Sequence, residues 1–491
     1  MSSGRRISKN IRENEVYLKR RLGINESFDL GYREIIVLDT SVQMYYVNGL
    51  SDSNLIQQIL KVLVQTNNIE NRRAKVNEVI TNRMVHQQFE RVKTMDEAID
   101  QLLSGLIVIF IDGQAEGYVI DVRQYPGRSP DEPDTERVVR GSRDGYTENI
   151  MENAGLTRRR IRDERLRLEI MNVGERSKTD ICIGYLQDVA DDDLIKLVKE
   201  KLSEIDIDGI PMADKTIEEF ISDKKWNAFP HVRYTERPDT GAKHLLEGHI
   251  LLFIDTSPSV IILPTTFFDH LVHAEEFRQS AAVGTVIRWT RFLGVLASLY
   301  LLPLWLLFVL DPSLLPEQLS YIGPDEEGNV PIVVQIILAD IGVEFLRMAA
   351  IHTPTPLATA MGLIAALMIG EIAINVGLFS AEVILYVAIS TVGTYVTPSY
   401  ELSVANKLMK ICLLLATAFF GAAGFVISST ISILYLAHMK ALKTPYLWPF
   451  IPFNAKAFLD MIIRIPIPYA NIRPSIVHPK NKYSQPLNKK R

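Results

Sequence analysis

The chain has 491 residues, room for about three domains at ~150 residues each. Its 53 Lys and Arg against 58 Asp and Glu leave a net charge of −5, without the basic footprint that nucleic-acid binding requires, so no nucleic-acid partner is expected. Two cysteines, Cys182 in a polar stretch and Cys412 in an apolar one, exclude a disulfide scaffold.

The first residues read MSSGRRISKNIRENEVYLKRR, with no apolar h-region, so no cleaved signal peptide is expected. Residues 1–29 are read as a basic N-terminal arm. An internal repeat follows. Tyr46, Leu50, Asp52, Leu55 and Ile56 recur as Tyr185, Val189, Asp191, Leu194 and Ile195 at an offset of 139, an Asp-containing turn that opens an amphipathic helix. LLSGLIVIFIDG at 102–113 recurs as LLEGHILLFIDT at 245–256, at an offset of 143. Each copy reads as a helix end, a capping glycine (Gly105, Gly248), a buried strand and an Asp turn (Asp112, Asp255). Tyr118–Val122 and Val260–Leu263 then read as a second strand. Residues 30–125 and 176–270 are therefore expected to be two related α/β subdomains.

Between them, 126–175 is read as an Arg-rich linker. It opens on Pro126, Gly127, Pro130 and Pro133 and carries Arg158, Arg159, Arg160, Arg162, Arg165 and Arg167 within ten residues. Such a cluster can meet lipid headgroups, nucleic acid or an acidic partner. The favoured reading is a solvated helix pairing with Asp163, Glu164 and acids of the flanking subdomains.

From Phe292 to about His438 the chain is mostly apolar, and 285–440 is expected to be an α-helical transmembrane domain. Leu293–Leu310 is an uncharged run with Pro303 inside it, a span with a kink. Leu357–Phe379 carries one charge, Glu371. Ala381–Val396 and Ile411–Ala437 are uncharged or nearly so, which makes four spans. Pro331–Ile351 is apolar but carries Asp340, Glu344 and Arg347, which at ~100° per residue lie within about 60° of one another. This mixed-charge face spans, re-enters or lies at the interface, and a salt-bridged structural face is favoured over an ion site.

Arg278, Arg288 and Arg291 precede the first span, whereas the loop 311–330 carries Asp311, Glu317, Asp325, Glu326 and Glu327 and no Lys or Arg. The bias places the N-terminal region in the cytoplasm. The C-terminal juxtamembrane segment and basic tail, 441–491, carries Lys480, Lys482, Lys489, Lys490 and Arg491 and belongs on the same side. Four spans plus a re-entrant 331–351 give the even number of crossings this needs, but leave Lys407 and Lys410 outside, against the rule.

Within 357–379, Glu371 and Asn375 are one turn apart, on a stripe with Ile364, Leu367, Met368 and Leu378. Beside it run the small residues Gly362, Ala366, Gly370, Ala373 and Gly377, which let helix backbones approach. Repeated around a ring of copies, this face would line a pore with apolar side chains and a girdle of carboxylates, which favours cations. Alternatively, Glu371 sits near a membrane surface or pairs with Arg347.

The sequence has no P-loop, no GxGxxG after a strand, no CxxC, no HExxH and no GxSxG, so neither catalysis nor a cofactor is expected. His270 and His273 near Glu275 and Glu276 read as a polar junction before the membrane, and no metal site is expected.

Several segments resemble the GerA family, the A-subunit family of bacterial spore germinant receptors. They are RSPDEPDTERVVRGSRDGYTENI at 128–150, RRRIRDERLR at 158–167, RSKTDICIGYLQDVA at 176–190, SEIDIDGI at 203–210, FPHVRYTERPD at 229–239, GLIAALMIGEIAINVGLFS at 362–380 and TPSYELSVANKLMKICLLL at 397–415. The resemblance covers roughly residues 90–455. The family's membrane motif resembles E-I-x-F-E-L-L-R-E. Here Asp340 replaces the first acid, Glu344 and Arg347 remain, and Met348 stands where the last acid would be. The basic N-terminus and Tyr45–Tyr46 are more similar to the stage V sporulation AF branch than to receptor A subunits.

The resemblance implies an inner-spore-membrane protein that forms a homo-oligomer, a pentameric ring, and conducts monovalent cations in germination. It also implies other spore germination membrane proteins as partners. The AF branch resembles an amplifier of the germination signal. The alternatives are a nutrient-binding receptor A subunit and a non-conducting scaffold that clusters receptors. A secondary transporter ranks last, because the repeat lies in the polar part rather than in membrane halves.

Overall fold

The computed structural model describes residues 5–68, 89–126, 136–222, 226–323, 329–352, 362 and 371–485. The chain divides into two units: residues 1–223, 232–264 and 467–491 form the first, and residues 224–231 with 265–466 form the second.

The first unit holds two antiparallel sheets of one topology. The first sheet is built from β1 (Leu30–Val37), β2 (Thr40–Val47), β3 (Phe89–Val92), β4 (Ile107–Ile111) and β5 (Gly117–Ile120), in the order β1-β2-β4-β5-β3. The second is built from β6 (Leu166–Val173), β7 (Thr179–Leu186), β8 (Arg233–Thr235), β9 (Ile250–Ile254) and β10 (Val260–Leu263), in the order β6-β7-β9-β10-β8. Strands β4 (IVIFI) and β9 (ILLFI) are buried at every position, because both sheet faces are covered and alternation has no solvent side to serve. Val108 and Phe110 face one core, covered by helices α1 (Ile11–Leu22) and α3 (Met95–Leu103), while α2 (Ser53–Gln65) lies on the far side. Ile107, Ile109 and Ile111 face the other core, with Ile56, Ile59 and Leu63 of α2. In the second half, α4 (Ile150–Arg160), α5 (Asp192–Ser203), α6 (Ala213–Ile221) and α7 (Pro238–Glu247) follow, and α4 and α7 cover one face of the second sheet as α1 and α3 cover the first.

The Asp turns have a structural task. Asp112 Oδ1 accepts from the Ile11 amide at 3.1 Å, and Asp255 Oδ1 from the Ile150 amide at 3.4 Å, each capping the helix that opens its half. The loops ahead of these helices also match. Ser8 and Asn14 exchange two bonds, 2.9 and 2.8 Å, as Thr147 and Asn153 do at 2.7 and 2.6 Å. The repeat thus begins at residue 8 and at residue 147, ahead of the expected starts at 30 and 176. The Arg-rich segment expected to be a linker carries α4 and β6, and the basic arm carries α1, whose Ile11, Leu18 and Leu22 enter the core.

The halves meet through that segment. Arg158 and Asp29 are both buried and form a two-pronged pair at 2.7 and 3.1 Å, and Arg158 also donates to the carbonyls of Asp163 and Leu166. A solvated helix was expected here, but the guanidinium is needed to neutralise a carboxylate that the joint buries. Beside it, a Cβ on Gly155 would lie 2.7 Å from the Gly49 carbonyl, so the backbones touch where only glycine fits. The basic tail belongs to this unit as well: Lys480 donates its amide to Val189 and Arg473 donates to the Leu246 carbonyl.

The second unit is helical. Its first long helix, α8 (Ala281–Leu310), runs through Pro303, where a kink is expected, with a π-helical turn at Ala297–Leu301 just before it. Residue 303 has no N–H, which leaves a carbonyl of that turn without a helical donor, and Ser390 Oγ donates to the Ser298 carbonyl at 3.3 Å. Helices α9 (Ile332–His352) and α10 (Ala381–Tyr395) follow. α8 and α10 run antiparallel, with Gly294 against Gly393 and Trp305 against Tyr386.

Helix α11 (Tyr400–His438) corrects the expected single span at Ile411–Ala437. Gly421 has φ 57° and ψ −137°, which breaks the helix. Met409 and Ser432 would be ~35 Å apart on a straight helix, yet Ser432 Oγ lies 2.9 Å from Met409 Sδ. Leu402 and Met439 share one apolar cluster. α11 is a helical hairpin that returns to the side on which it began.

Candidate functional site

The charges expected on one face of α9 meet two lysines of α11. Lys410 Nζ bonds Asp340 Oδ1 at 2.7 Å and Lys407 Nζ bonds Glu344 Oε2 at 2.8 Å. Lys407 also reaches Asp340 Oδ2 at 3.7 Å, and Arg347 reaches Glu344 Oε1 at 3.2 Å and stacks over Tyr400. Asp340 and Lys410 are buried, and Glu344, Arg347 and Lys407 are half-buried. Acids one turn apart on α9 thus face bases one turn apart on an antiparallel α11, which fixes the register of the two helices.

This arrangement does not offer a cation seat. Two carboxylates face three fixed positive groups, so the cluster carries a surplus positive charge. The lysines that conflicted with the orientation rule are explained by these partners. The sequence signal was their spacing, i and i+3, complementary to Asp340 and Glu344 at i and i+4.

Glu371 and Asn375 are exposed. Ala373 is buried, Gly362 is exposed, and Leu378 is half exposed. The helix expected to run to Phe379 stops earlier: Ala373–Asn375 is its last stretch, and Gly377 turns left-handed at φ 74°, which no side chain with a Cβ adopts cheaply. Ser380 then caps α10. Ile364, Ala366, Leu367, Met368 and Gly370 lie outside the described residues. Arg347, offered as a partner for Glu371, is bonded to Glu344.

Two further polar clusters stand out. Glu276 is fully buried and paired with Arg288 at 2.8 Å and with Arg291, while Arg288 also donates to the carbonyls of Asp460 and Met461. The arginines read as orientation markers are therefore bolts as well. In the first unit, His244, Glu247 and His249 bring one ligand atom each within 4.8 Å, the one such trio among the described residues. His270 and His273 are not part of this trio, which forms because the left-handed turn at Gly248 folds His249 back onto His244. Arg233 lies 3.5 Å from His244 Nε2 and Lys243 lies 3.6 Å from Glu247, positive charges that oppose a bound cation. Burial holds His244 well below the usual imidazole value, so it is neutral.

The family model for the Bacillus/Clostridium GerA spore germination protein matches residues 16–476. The chain is 54% identical over 483 residues to the stage V sporulation protein AF of Bacillus subtilis (strain 168), covering 98% of each. It is 28% identical over 486 residues to the spore germination protein KA of the same organism, covering 98% of this chain and 89% of that one. Among solved structures it matches the N-terminal domain of the A subunit of the Bacillus megaterium spore germinant receptor GerK3, with 26% identity and a TM-score of 0.43 over 54% of this chain and 98% of that one.

Proposed function

The chain belongs to the Bacillus/Clostridium GerA spore germination protein family, and from that premise we propose that it is a multi-pass protein of the inner spore membrane. It assembles as a homo-oligomer, a pentameric ring, and conducts monovalent cations that amplify the nutrient germination signal. It works beside other spore germination membrane proteins rather than by binding nutrient.

Helix α8 is long and apolar enough to cross a membrane, and α11 is an apolar hairpin folded at Gly421. Their outward residues are large and apolar: Leu293, Leu296, Phe419, Phe420, Ile427 and Leu434 are all more than half exposed, a surface that lipid would cover. Residues 467–491 rejoin the first unit that the chain leaves at Pro264, which supports an even number of crossings between them. In this reading α8, α9, the segment ending at Asn375, and α10 cross, and the hairpin α11 re-enters. That assignment replaces re-entry of 331–351.

The observation that carries conduction is Glu371: a carboxylate exposed at the end of an otherwise uncharged run from 357, with Asn375 exposed one turn on. Around a ring of copies these groups, with Ile364, Leu367 and Met368, form the cation path. The test is potassium flux from liposomes holding the purified protein. Glu371→Gln is expected to lower cation selectivity, and Met368→Ala to make a leaky channel. Unchanged selectivity and tightness in both would remove this helix from the path, and no flux from a folded oligomer would favour the receptor-clustering scaffold.

A further inference from the structure

The segment after the hairpin carries an apolar surface that the described protein leaves uncovered. Residues 447–463 read LWPFIPFNAKAFLDMII. Asn454 caps α12 (Ala455–Ile462), its side chain accepting from the Ala457 amide at 3.1 Å, and no residue of α12 is buried. Ala455 and Leu459 share one face of α12, Ile463 follows just past its end, and Phe450, Ile451 and Phe453 precede it. Phe453 is 67% exposed and Leu459 54%.

This surface is held at a defined height on α8. Arg288 donates to the carbonyls of Asp460 and Met461 at 2.9 and 2.8 Å, Trp289 Nε1 donates to the Ile462 carbonyl at 3.0 Å, and the Arg464 amide donates to Thr285 Oγ1 at 3.1 Å. All three anchors lie within eight residues of Leu293, where the uncharged run of α8 begins. α12 is thus fixed where a membrane helix leaves the hydrocarbon, the level at which aromatic side chains concentrate. The exposed bases nearby in sequence, Lys440, Lys443 and Lys456, outnumber the exposed acid Asp460.

We propose that residues 447–463 lie flat in the membrane–water interface, with Phe450, Ile451, Phe453, Leu459 and Ile463 at the acyl boundary and Lys440, Lys443 and Lys456 among anionic headgroups. The proposal rests on the membrane reading above and adds an in-plane anchor to it. The occupant is lipid rather than a second protein because the segment is tied to α8 at Trp289, one turn before the exposed apolar residues Leu293 and Leu296. An amphipathic segment rich in aromatic residues, with lysines beside it, is the chemistry that inserts at a headgroup layer.

The test uses the full chain with Cys412→Ala, the buried Cys182 being unreactive. A fluorophore is placed at Phe453→Cys or Leu459→Cys, with Ile427→Cys on α11 and Lys196→Cys on α5 as references, in vesicles of phosphatidylethanolamine and phosphatidylglycerol. Labels at 453 and 459 are expected to be quenched several-fold more by shallow than by deep acyl-chain quenchers, and the label at 427 by either kind. Iodide quenching at 453 and 459 equal to that at 196, or protection from both lipid and iodide, overturns the interface with the membrane reading intact. Absence of lipid quenching at 427 as well would overturn the membrane reading itself.

Discussion

Arg158 shows how a charge can belong to the interior. Its guanidinium has no exposed surface and satisfies both oxygens of an equally buried Asp29. Removing one partner leaves an uncompensated buried charge, which costs about 3–5 kcal/mol. Arg158→Met is therefore expected to lower the denaturation midpoint of the full chain in detergent sharply, whereas Arg176→Met, at an exposed pair with Asp208, is expected to change it little. Equal midpoints for the two variants would contradict the joint described here. His244 makes a second residue-scale prediction. It faces His249, Arg233 and Lys243, and burial followed by these charges keeps it neutral. Its folded value is below the unfolded one, so its contribution is present above about pH 6.5 and is lost as pH falls, at about 1.4 kcal/mol per unit. His244→Gln is expected to flatten the fall of stability between pH 7 and pH 5, read from denaturant midpoints. A slope as steep as that of the parent would place the proton elsewhere.

At the scale of elements, the hairpin of α11 is the feature with the sharpest consequence. Met409→Cys with Ser432→Cys, in a Cys412→Ala background, is expected to be bridged by a short thiol-specific cross-linker, since the two side chains touch across the hairpin. Gly421→Leu cannot take φ 57° without strain and favours a straight helix, so it is expected to suppress that cross-link. A cross-link unaffected by Gly421→Leu, or none in the parent, would restore the single span. Little in the sequence marks this turn. Glycine is common in membrane helices, and the run 411–437 shows no polar residue at the turn to mark it. By contrast, Leu102–Gly113 and Leu245–Thr256 were readable because β4 and β9 are continuous apolar runs between a left-handed glycine and an aspartate. The matching starts at Ser8–Asn14 and Thr147–Asn153 escaped because what repeats there is polar capping, SKNIREN against TENIMEN, and hydrophobic periodicity does not see it. The charged face of α9 was legible from its spacing, but its partners were not, since Lys407 and Lys410 lie 63 and 70 residues beyond the acids they bond.

At the scale of the whole chain, the decisive constraint is connectivity. The first unit is made of sequence from both sides of the second, because residues 467–485 pack with Val189, Asp192 and Leu246. A chain that leaves a folded unit and returns to it can traverse a bilayer only an even number of times. The helices of the second unit are consistent with that count: α10 runs antiparallel to α8, α11 begins antiparallel to α9, and the hairpin ends where it starts. In the proposed membrane reading the acidic loop after α8, with Asp311 and no Lys or Arg through 330, would lie on the side of the bilayer opposite Lys196 and Ser484. In sealed, right-side-out membrane vesicles, Ser313→Cys is expected to react with a membrane-impermeant maleimide, while Lys196→Cys and Ser484→Cys react only after the vesicles are opened. Reaction of Ser484→Cys in sealed vesicles with Lys196→Cys protected would make the number of crossings odd. The packing of the tail on the first unit could not then hold in the membrane, and α11 would have to cross as one helix.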